Sequence, residues 1–429
     1  MDNKTQVIVV GAGPAGISAA ITLARAGKNV ILIERGSFAG SKNMFGGAIY
    51  ANPTREIFPD FEQSAPLERK IVQHKYLLRT ETKELSVGYF SKNEEEYDKN
   101  PAYTVIRGKF DRWAASEAEK AGAVLVTETK VKDLIIENGK VLGVKTELEE
   151  YYADIVILAD GVNSLLAKNA GLRKTIEPQD VALGVKEVIK IGEEEINKRF
   201  NLKSNEGCVY EIIGEPMQGI LGLGFLYTNK ESVSIGLGIT LSDLAENKLK
   251  PYDILEKMKS HPAITELLKN GELVEYSAHL IPEGGYKKIP KLYNDGVLIT
   301  GDAAMLVNNV HWEGTNLAML SGKFAAETAI KALDKNDFSA TTLREYQNKL
   351  EKSFIMKDLK SYKNIMGIVH SRKNSYLKYY PEKITEFFEL FTTVNGIEKS
   401  KLYRKFAKNF ILKRNIIELF KDAFGFIKI

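Results

Sequence analysis

Cysteine is almost missing: Cys208 is the only one in 429 residues. A single thiol rules out any disulfide within the chain and suits a reducing cytoplasm. It equally rules out an iron–sulfur cluster held by four thiolates of this chain. Histidine is scarce as well. His74, His261, His279, His311 and His370 are scattered without metal-ligand spacing, so no metal site is expected. Charge of one sign is also lacking, and a net +4 over this length gives no reason to expect a nucleic-acid partner. No signal peptide is expected, because Asp2 and Lys4 lead directly into the first β-branched run. One uncharged stretch, residues 7–24, is long enough for a membrane span, but its three glycines, Pro14 and its change from strand to helix pattern argue otherwise. Any redox chemistry must therefore come from an organic cofactor.

What is present is a soluble globular composition, 44% hydrophobic and 27% charged, in a chain long enough to bury a sizeable core in two or three substructures. The stretch that organises it is residues 6–36. Val7-Ile8-Val9-Val10 has the pattern of a buried parallel strand. Gly11, Gly13 and Gly16 follow in the spacing G-x-G-x-x-G, a helix continues from Ile17 to Arg25 and is punctuated by Gly27, and Val30-Ile31-Leu32-Ile33 forms a second strand that ends at Glu34. Gly11 permits the tight turn, Gly13 lets backbone approach a pyrophosphate, and Gly16 lets helix and strand pack closely. The helix N-terminus offers unpaired N–H groups to the phosphates. Glu34, 23 residues after Gly11, stands where a carboxylate bonds a ribose hydroxyl. The alternative, a Gly-rich turn in an ordinary sheet, does not explain why strand, helix, strand and acid arrive in this order.

The loop from Ser41 to Ala48 has paired glycines, Gly46 and Gly47, and suits a backbone passing close over a flat ring, with a plain surface turn as the alternative. Residues 71–89 alternate as strand, and 107–113 open a helix with Asp111 near its first turn and Gly122 at its end. A meander around Val131 and Val141 leads to a buried strand closing in Asp160-Gly161, with Ser164 nearby. Residues 181–240 read as an antiparallel sheet whose glycines suggest close approach of another backbone or a ligand. A helical stretch at 251–269 breaks at Pro262. The strand Gly296 to Thr300 repeats the earlier ending as Gly301-Asp302, and a helix opens at Gly314-Thr315-Asn316. Asp302 is placed to hold a second ribose-like hydroxyl. The helix after Gly314 would aim its positive end at a ring that gains negative charge on reduction. The last stretch is helix-rich, Lys-rich and aromatic. From residue 401 onward eight Lys and Arg face Glu418 and Asp422, a surplus of six positive charges. It is either a docking helix with a solvated basic face or a basic amphipathic surface for anionic lipid or an acidic partner.

Residues 11–34, 107–113, Asp160-Gly161 and Gly301-Asp302 together resemble the FAD-binding fold of the hydroxylase-type flavoprotein superfamily. Within it, Lys42-Asn43-Met44-Phe45-Gly46-Gly47 and residues 251–327 resemble electron-transfer-flavoprotein–quinone oxidoreductases, and among these the stand-alone Fix-type (FixC) group. The specific pieces are His261-Pro262, Glu283-Gly284-Gly285-Tyr286, Ile289-Pro290-Lys291-Leu292, Gly301 to Asn308, and Glu313-Gly314-Thr315-Asn316. The fold implied is α/β: a Rossmann-like FAD-binding domain of the hydroxylase/glutathione-reductase type, an inserted α+β substrate domain on an antiparallel sheet, and a helical C-terminal region. The expected divisions are 1–180, 181–290, 291–335 and 336–429.

The resemblance implies roles residue by residue. Gly11, Gly13, Pro14, Ala15 and Gly16 cradle the pyrophosphate, and Glu34 and Arg35 meet the adenosine end. Arg107 lies toward the phosphates, Asp302 with Gly301 holds the ribityl end, and N–H groups at Gly314, Thr315 and Asn316 meet the flavin pyrimidine. Lys42, Asn43, Gly46, Gly47 and Ala48 sit beside the flavin N5 edge, and Val131, Asp160 and Gly161 complete the cofactor contacts. No side chain is implied as catalytic; His311 and Lys42 are candidates only for tuning the ring or meeting the quinone. The activity implied is FAD-dependent electron transfer from a two-subunit electron-transfer flavoprotein to quinone. Fix-type complexes add coupling to electron bifurcation and a separate ferredoxin-like iron–sulfur protein. The location implied is cytoplasmic, or peripheral on the inner face of the cell membrane through the basic C-terminal region. Fused members carry a cysteine-ligated cluster domain, which one cysteine cannot supply. Where aromatic hydroxylases place a proline, Val310-His311-Trp312-Glu313 stands here, which counts against oxygen activation. A geranylgeranyl reductase-like enzyme shares the glycine motifs, although its usual loop cysteine is missing between Met44 and Ala48. A membrane-docking subunit with structural FAD is the non-catalytic rival.

Overall fold

Residues 4–42, 47–90, 99–217, 219–414 and 416–427 are described by the computed structural model. The chain divides into two units, each assembled from three stretches. The first takes Met1–Lys70, Asn93–Ala182 and Ser277–Lys363; the second takes Ile71–Lys92, Leu183–Tyr276 and Asn364–Ile429. Two segments thus fall outside a division into consecutive domains. Residues 71–92 go with the second unit, because Leu67–Arg79 lies beside Glu206–Gly214 in one sheet. Residues 336–363 go with the first, because Leu343, Tyr346, Leu350 and Ile355 are fully buried in its core.

In the first unit the main sheet has the order Tyr293–Asn294, Val297–Ile299, Glu150–Leu158, Lys4–Val10, Val30–Ile33, Val124–Val126. Lys4–Val10 is parallel to both its neighbours, and its Val7, Ile8 and Val9 are wholly buried. That burial on both faces is why the run reads as continuous β-branched residues rather than as an alternation. Register sets the functional edge. Val10 stands opposite Leu158, and Leu158 opposite Ile299, so three parallel strands end side by side. The turns that follow them, at Gly11, Asp160-Gly161 and Gly301-Asp302, are thereby gathered at one carboxyl edge. This is where open α/β sheets bind ligands.

Helix Pro14–Arg25 covers this sheet and packs against helices Arg107–Lys120 and Thr315–Lys335. The last of these contacts is very close: a Cβ on Gly322 would lie 2.0 Å from the Ala15 carbonyl oxygen. A hairpin of Asp133–Glu137 and Lys140–Lys145 extends from Glu150–Leu158, and Ala48–Tyr50 pairs with Ala102–Val105.

In the second unit, Glu206–Gly214, Gly222–Thr228 and Ser232–Thr240 form an antiparallel meander. Val181–Lys190 and Glu272–Pro282 extend it on one side, and Leu67–Arg79 and Glu84–Phe90 on the other. Cys208, Ile212, Leu226, Ile235, Leu237, Leu255 and Ile264 are fully buried between this sheet and helices Pro251–Lys259 and Pro262–Leu268. The strand glycines serve the protein's own packing. A Cβ on Gly224 would lie 2.6 Å from Met258 Sδ, and one on Gly236 2.3 Å from the Val185 carbonyl oxygen. Of the two approaches that the glycine pattern suggested, these positions show backbone and side chain of the same unit.

The C-terminal helices Tyr380–Thr392, Lys399–Lys413 and Ile416–Ile427 meet through aromatic contacts and one buried acid. Phe387 packs on Phe406 at 5.7 Å and Phe406 on Phe410 at 6.1 Å between ring centroids. Asp422, 1% exposed, accepts from Arg372 at 2.5 Å, Arg414 at 2.8 Å and Tyr380 at 2.9 Å.

Candidate FAD site

The first glycine turn is shaped by what it excludes. Gly11 has φ +100°, and a Cβ there would meet the Ala159 carbonyl oxygen at 2.4 Å; a Cβ on Gly16 would meet the Gly11 carbonyl oxygen at 1.9 Å. Side chains at either position would force the turn apart. Gly13 caps helix Pro14–Arg25 in extended conformation, with Pro14 in the first turn, no side-chain cap and no first-turn acid. Its N-terminal N–H groups are therefore left for an anion.

Glu34 ends the next strand and is 9% exposed. Its Oε2 accepts from the Ala12 N–H at 2.9 Å and its Oε1 from the Gly36 N–H at 2.6 Å. The carboxylate is thus braced beside the glycine turn, and each oxygen keeps a second lone pair for a hydroxyl. The segment that carries Val131 runs alongside, with Thr129 donating to the Glu34 carbonyl at 3.0 Å. Arg35 and Lys42 are exposed. Asn43 and Gly46 lie outside the described residues, whereas Gly47 accepts from the Val105 N–H at 2.8 Å and Ala48 pairs with Thr104.

Arg107 is buried and grips Asp111 with two hydrogen bonds of 2.9 Å, while its Nη1 donates to Thr315 Oγ1 at 3.3 Å. The guanidinium thereby joins helix Arg107–Lys120 to the start of Thr315–Lys335. Gly314 opens that helix without a side-chain cap or first-turn acid. The Asn316 side chain turns away from the opening: its Oδ1 accepts from the Tyr50 N–H at 3.0 Å and its Nδ2 donates to Thr54 Oγ1 at 3.0 Å. Its backbone N–H, not its amide, is what the opening offers.

The two acidic turns are electrostatically alike. Burial pushes the Asp160 carboxyl up to about 6, against a hydrogen bond from Ser164 and the charge of Arg173. Burial likewise pushes Asp302 up to about 6, with Arg107 and Arg173 opposing. Both carboxyls are half-buried, and a carboxyl so placed with a cation opposing its neutralisation is suited to receive ligand hydroxyls. Glu313, just before Gly314, rises to about 7 through burial and the nearby Asp358. Glu283 rises to about 8 through burial alone. His311 contacts the Tyr362 hydroxyl at 3.2 Å.

Gly11, Gly13, Gly16, Glu34, Arg107, Asp160, Asp302 and the Gly314 opening all belong to this one unit. Sequence reasoning overlooked Arg173, Gly322 and the titration of Glu283 and Glu313. Gly322 did carry a signal, an isolated glycine inside a helical pattern; Arg173 carried none. Among the described residues no cluster is arranged to hold a metal ion. The glycine cradle that any Cβ would fill and the uncapped helix starts fit a dinucleotide, and the second acidic turn fits the extended one, FAD. Such an arrangement can bind and orient a cofactor; the electron chemistry would come with it.

Known proteins agree along the whole length. Residues 6–198 match the family model for glucose inhibited division protein A, residues 181–281 the ETF-QO ubiquinone-binding model, and residues 365–429 the ETF-QO/FixC family C-terminal domain. Protein FixC of Azorhizobium caulinodans is 41% identical, over 100% of this chain and 99% of its own. The probable electron transfer flavoprotein-quinone oxidoreductase YdiS of Escherichia coli is 40% identical over 98% of each. A solved geranylgeranyl bacteriochlorophyll reductase-like protein from Thermoplasma acidophilum superposes with a TM-score of 0.73 at 21% identity, covering 89% of this chain and 92% of the other, and so shares the fold. The chain belongs to the electron transfer flavoprotein–quinone oxidoreductase/FixC family of FAD-dependent oxidoreductases.

Proposed function

We propose that this protein accepts electrons from a two-subunit electron-transfer flavoprotein and passes them to quinone, as the FixC-type subunit of an electron-bifurcating complex. The observation that carries the reading is end-to-end identity of about 40% to both FixC and quinone-oxidoreductase relatives. Bound FAD supplies the electron exchange. The chain's own residues hold it: Gly11, Gly13 and Gly16 take the pyrophosphate with the helix N-terminus behind them, and Glu34 takes the adenosine ribose. Arg107 takes the phosphate side, Asp302 the ribityl hydroxyls, and the Gly314, Thr315 and Asn316 N–H groups the pyrimidine oxygens. The quinone belongs to the second unit, in the reach matched by the ubiquinone-binding model.

One buried cysteine, Cys208, supports a separate ferredoxin-like protein as the cluster carrier. No helix among the described residues is long and apolar enough to cross a membrane. Exposed Phe388, Phe391, Val394, Ile417 and Phe420, in a region rich in lysine, support peripheral contact with the inner face of the cell membrane. The test is anaerobic mixing with reduced electron-transfer flavoprotein, followed by a soluble quinone. Flavin bleaching and then reoxidation is expected. No bleaching with that donor, or oxidation only by an isoprenoid double bond, would overturn the reading.

A further inference from the structure

Arg173 follows the short helix Leu165–Asn169 and is 8% exposed. Its Nη1 donates to the Val162 carbonyl at 2.8 Å and to the Ala303 carbonyl at 3.2 Å. One nitrogen therefore bridges the turn Asp160-Gly161-Val162 and the turn Gly301-Asp302-Ala303, which are more than a hundred residues apart in sequence. Its Nη2 is buried with no protein partner. Three acids face it: Asp160, Asp180 and Asp302. Asp180 is already paired with Lys288 at 2.8 Å, and Asp160 accepts from Ser164 at 2.9 Å. Asp302 faces only the two cations Arg107 and Arg173, and Arg107 is committed to Asp111. A buried guanidinium is costly to hold unless its donors are used. Here the used donors fix turn geometry, and the unused one is left buried without a protein partner.

We propose that Arg173 is a positioning residue for FAD, locking the two acidic turns to each other and holding the Asp302 carboxylate ready for the cofactor's hydroxyls. Val162 and Ala303 carbonyls have no other tie of this kind across the two turns among the described residues. Without the bridge, the Gly301 turn would keep its tie to Ser321 Oγ, but the two turns would lose this direct link to each other. Without the cation, Asp302 would bind a proton at higher pH and present a neutral acid to the ligand.

The experiment measures FAD affinity of the full chain between pH 5.5 and 8.5, with thermal melting of the FAD-free form alongside. The variants are Arg173→Met, Arg173→Lys, Asp302→Asn and the double changes. Arg173→Met is expected to weaken FAD at least about tenfold at neutral pH, the usual consequence of losing buried charge-assisted bonds. The pH at which affinity falls should also move upward. In the Asp302→Asn background that upward movement should vanish and the loss shrink. Affinity of Arg173→Met within about twofold of the parent would overturn the proposal, as would an equal loss at every pH in both backgrounds. Should Arg173→Met fail to fold, Arg173→Lys decides. Lysine keeps charge but cannot reproduce the fork, so parental affinity with a parental pH profile would refute the positioning role.

Discussion

Gly322→Ala adds one carbon at the closest helix contact of the FAD unit. The new Cβ would lie 2.0 Å from the Ala15 carbonyl oxygen and 2.8 Å from the Ala15 carbonyl carbon. Those are backbone atoms and cannot rotate aside, so helix Thr315–Lys335 must back away by more than 1 Å, roughly the deficit from ordinary van der Waals contact. Ala325, Ala326 and Ala329 on the same helix are wholly buried, and their packing would loosen with it. Overpacking of this kind costs about 3 kcal/mol at the upper end of its usual range. Alanine's better helix propensity returns about 1 kcal/mol, leaving a net loss of about 2 kcal/mol. For a unit of this size that is a fall of roughly 4–8 °C in melting temperature. FAD affinity should fall too, because Ala15 sits in the first turn of helix Pro14–Arg25, whose N-terminus is proposed to face the phosphates. Differential scanning of the FAD-free protein and a flavin-fluorescence titration read both. Gly367→Ala is the control: it lies in helix Ile365–Ser371 with nothing within 4 Å of its would-be Cβ, and should be neutral or slightly stabilising. Parental melting temperature and FAD affinity in Gly322→Ala would refute the close-packing argument.

Glu34→Gln should weaken FAD about tenfold, since an amide cannot accept from both the Ala12 and Gly36 N–H groups and a ribose hydroxyl together; equilibrium dialysis measures it. Burial pushes Asp160 and Asp302 up to about 6, above their ordinary carboxylate value. The folded chain therefore binds more protons than the unfolded one between about pH 4 and 6, and their contribution to stability falls as pH rises through that window. Asp302→Asn should accordingly raise the melting temperature of the FAD-free protein more at pH 7.5 than at pH 4.5, while weakening FAD. Asp422→Ala should destabilise the C-terminal helices by about 2–3 kcal/mol, because Arg372 and Arg414 lose a shared, partly shielded acid. Limited proteolysis should then cut the region between residues 393 and 420 sooner than in the parent.

Legibility followed sequence distance. The unit from Val7 to Glu34 could be read because strand, glycine turn, helix and acid are contiguous, and each residue type is demanded by local backbone geometry. Asp160-Gly161 and Gly301-Asp302 could be paired because they repeat one ending on strands of one kind. Arg173 could not be seen, since its meaning lies in two carbonyls, one of them 130 residues away. The helix that opens at Gly314 runs to Lys335, and the spacing of Ala325, Ala329, Ala332 and Leu333 carries its apolar face almost to that end. The apolar residues of the C-terminal region differ in burial, which their sequence pattern alone does not reveal. Phe406 and Phe410 pack on other rings, whereas Ile417 and Phe420 are 62% and 60% exposed. Burial of this sort depends on which helix arrives from elsewhere in the chain.

Six alternating stretches build the two units, with junctions after residues 70, 92, 182, 276 and 363. This order has a consequence for the protein during its synthesis. The FAD unit lacks Val297–Ile299 and the Gly301 turn until late, and the second unit lacks its stretch from Asn364 onward until later still. At ordinary elongation rates, roughly 20–70 s separate the first strand from residue 363. Through that interval the nascent chain carries unpaired, β-branched edges that a ribosome-bound chaperone would have to shield. For the same reason no single cut yields two independent pieces: a gene split after residue 182 or 276 should give insoluble halves, whereas their co-expression would offer the edges their partners.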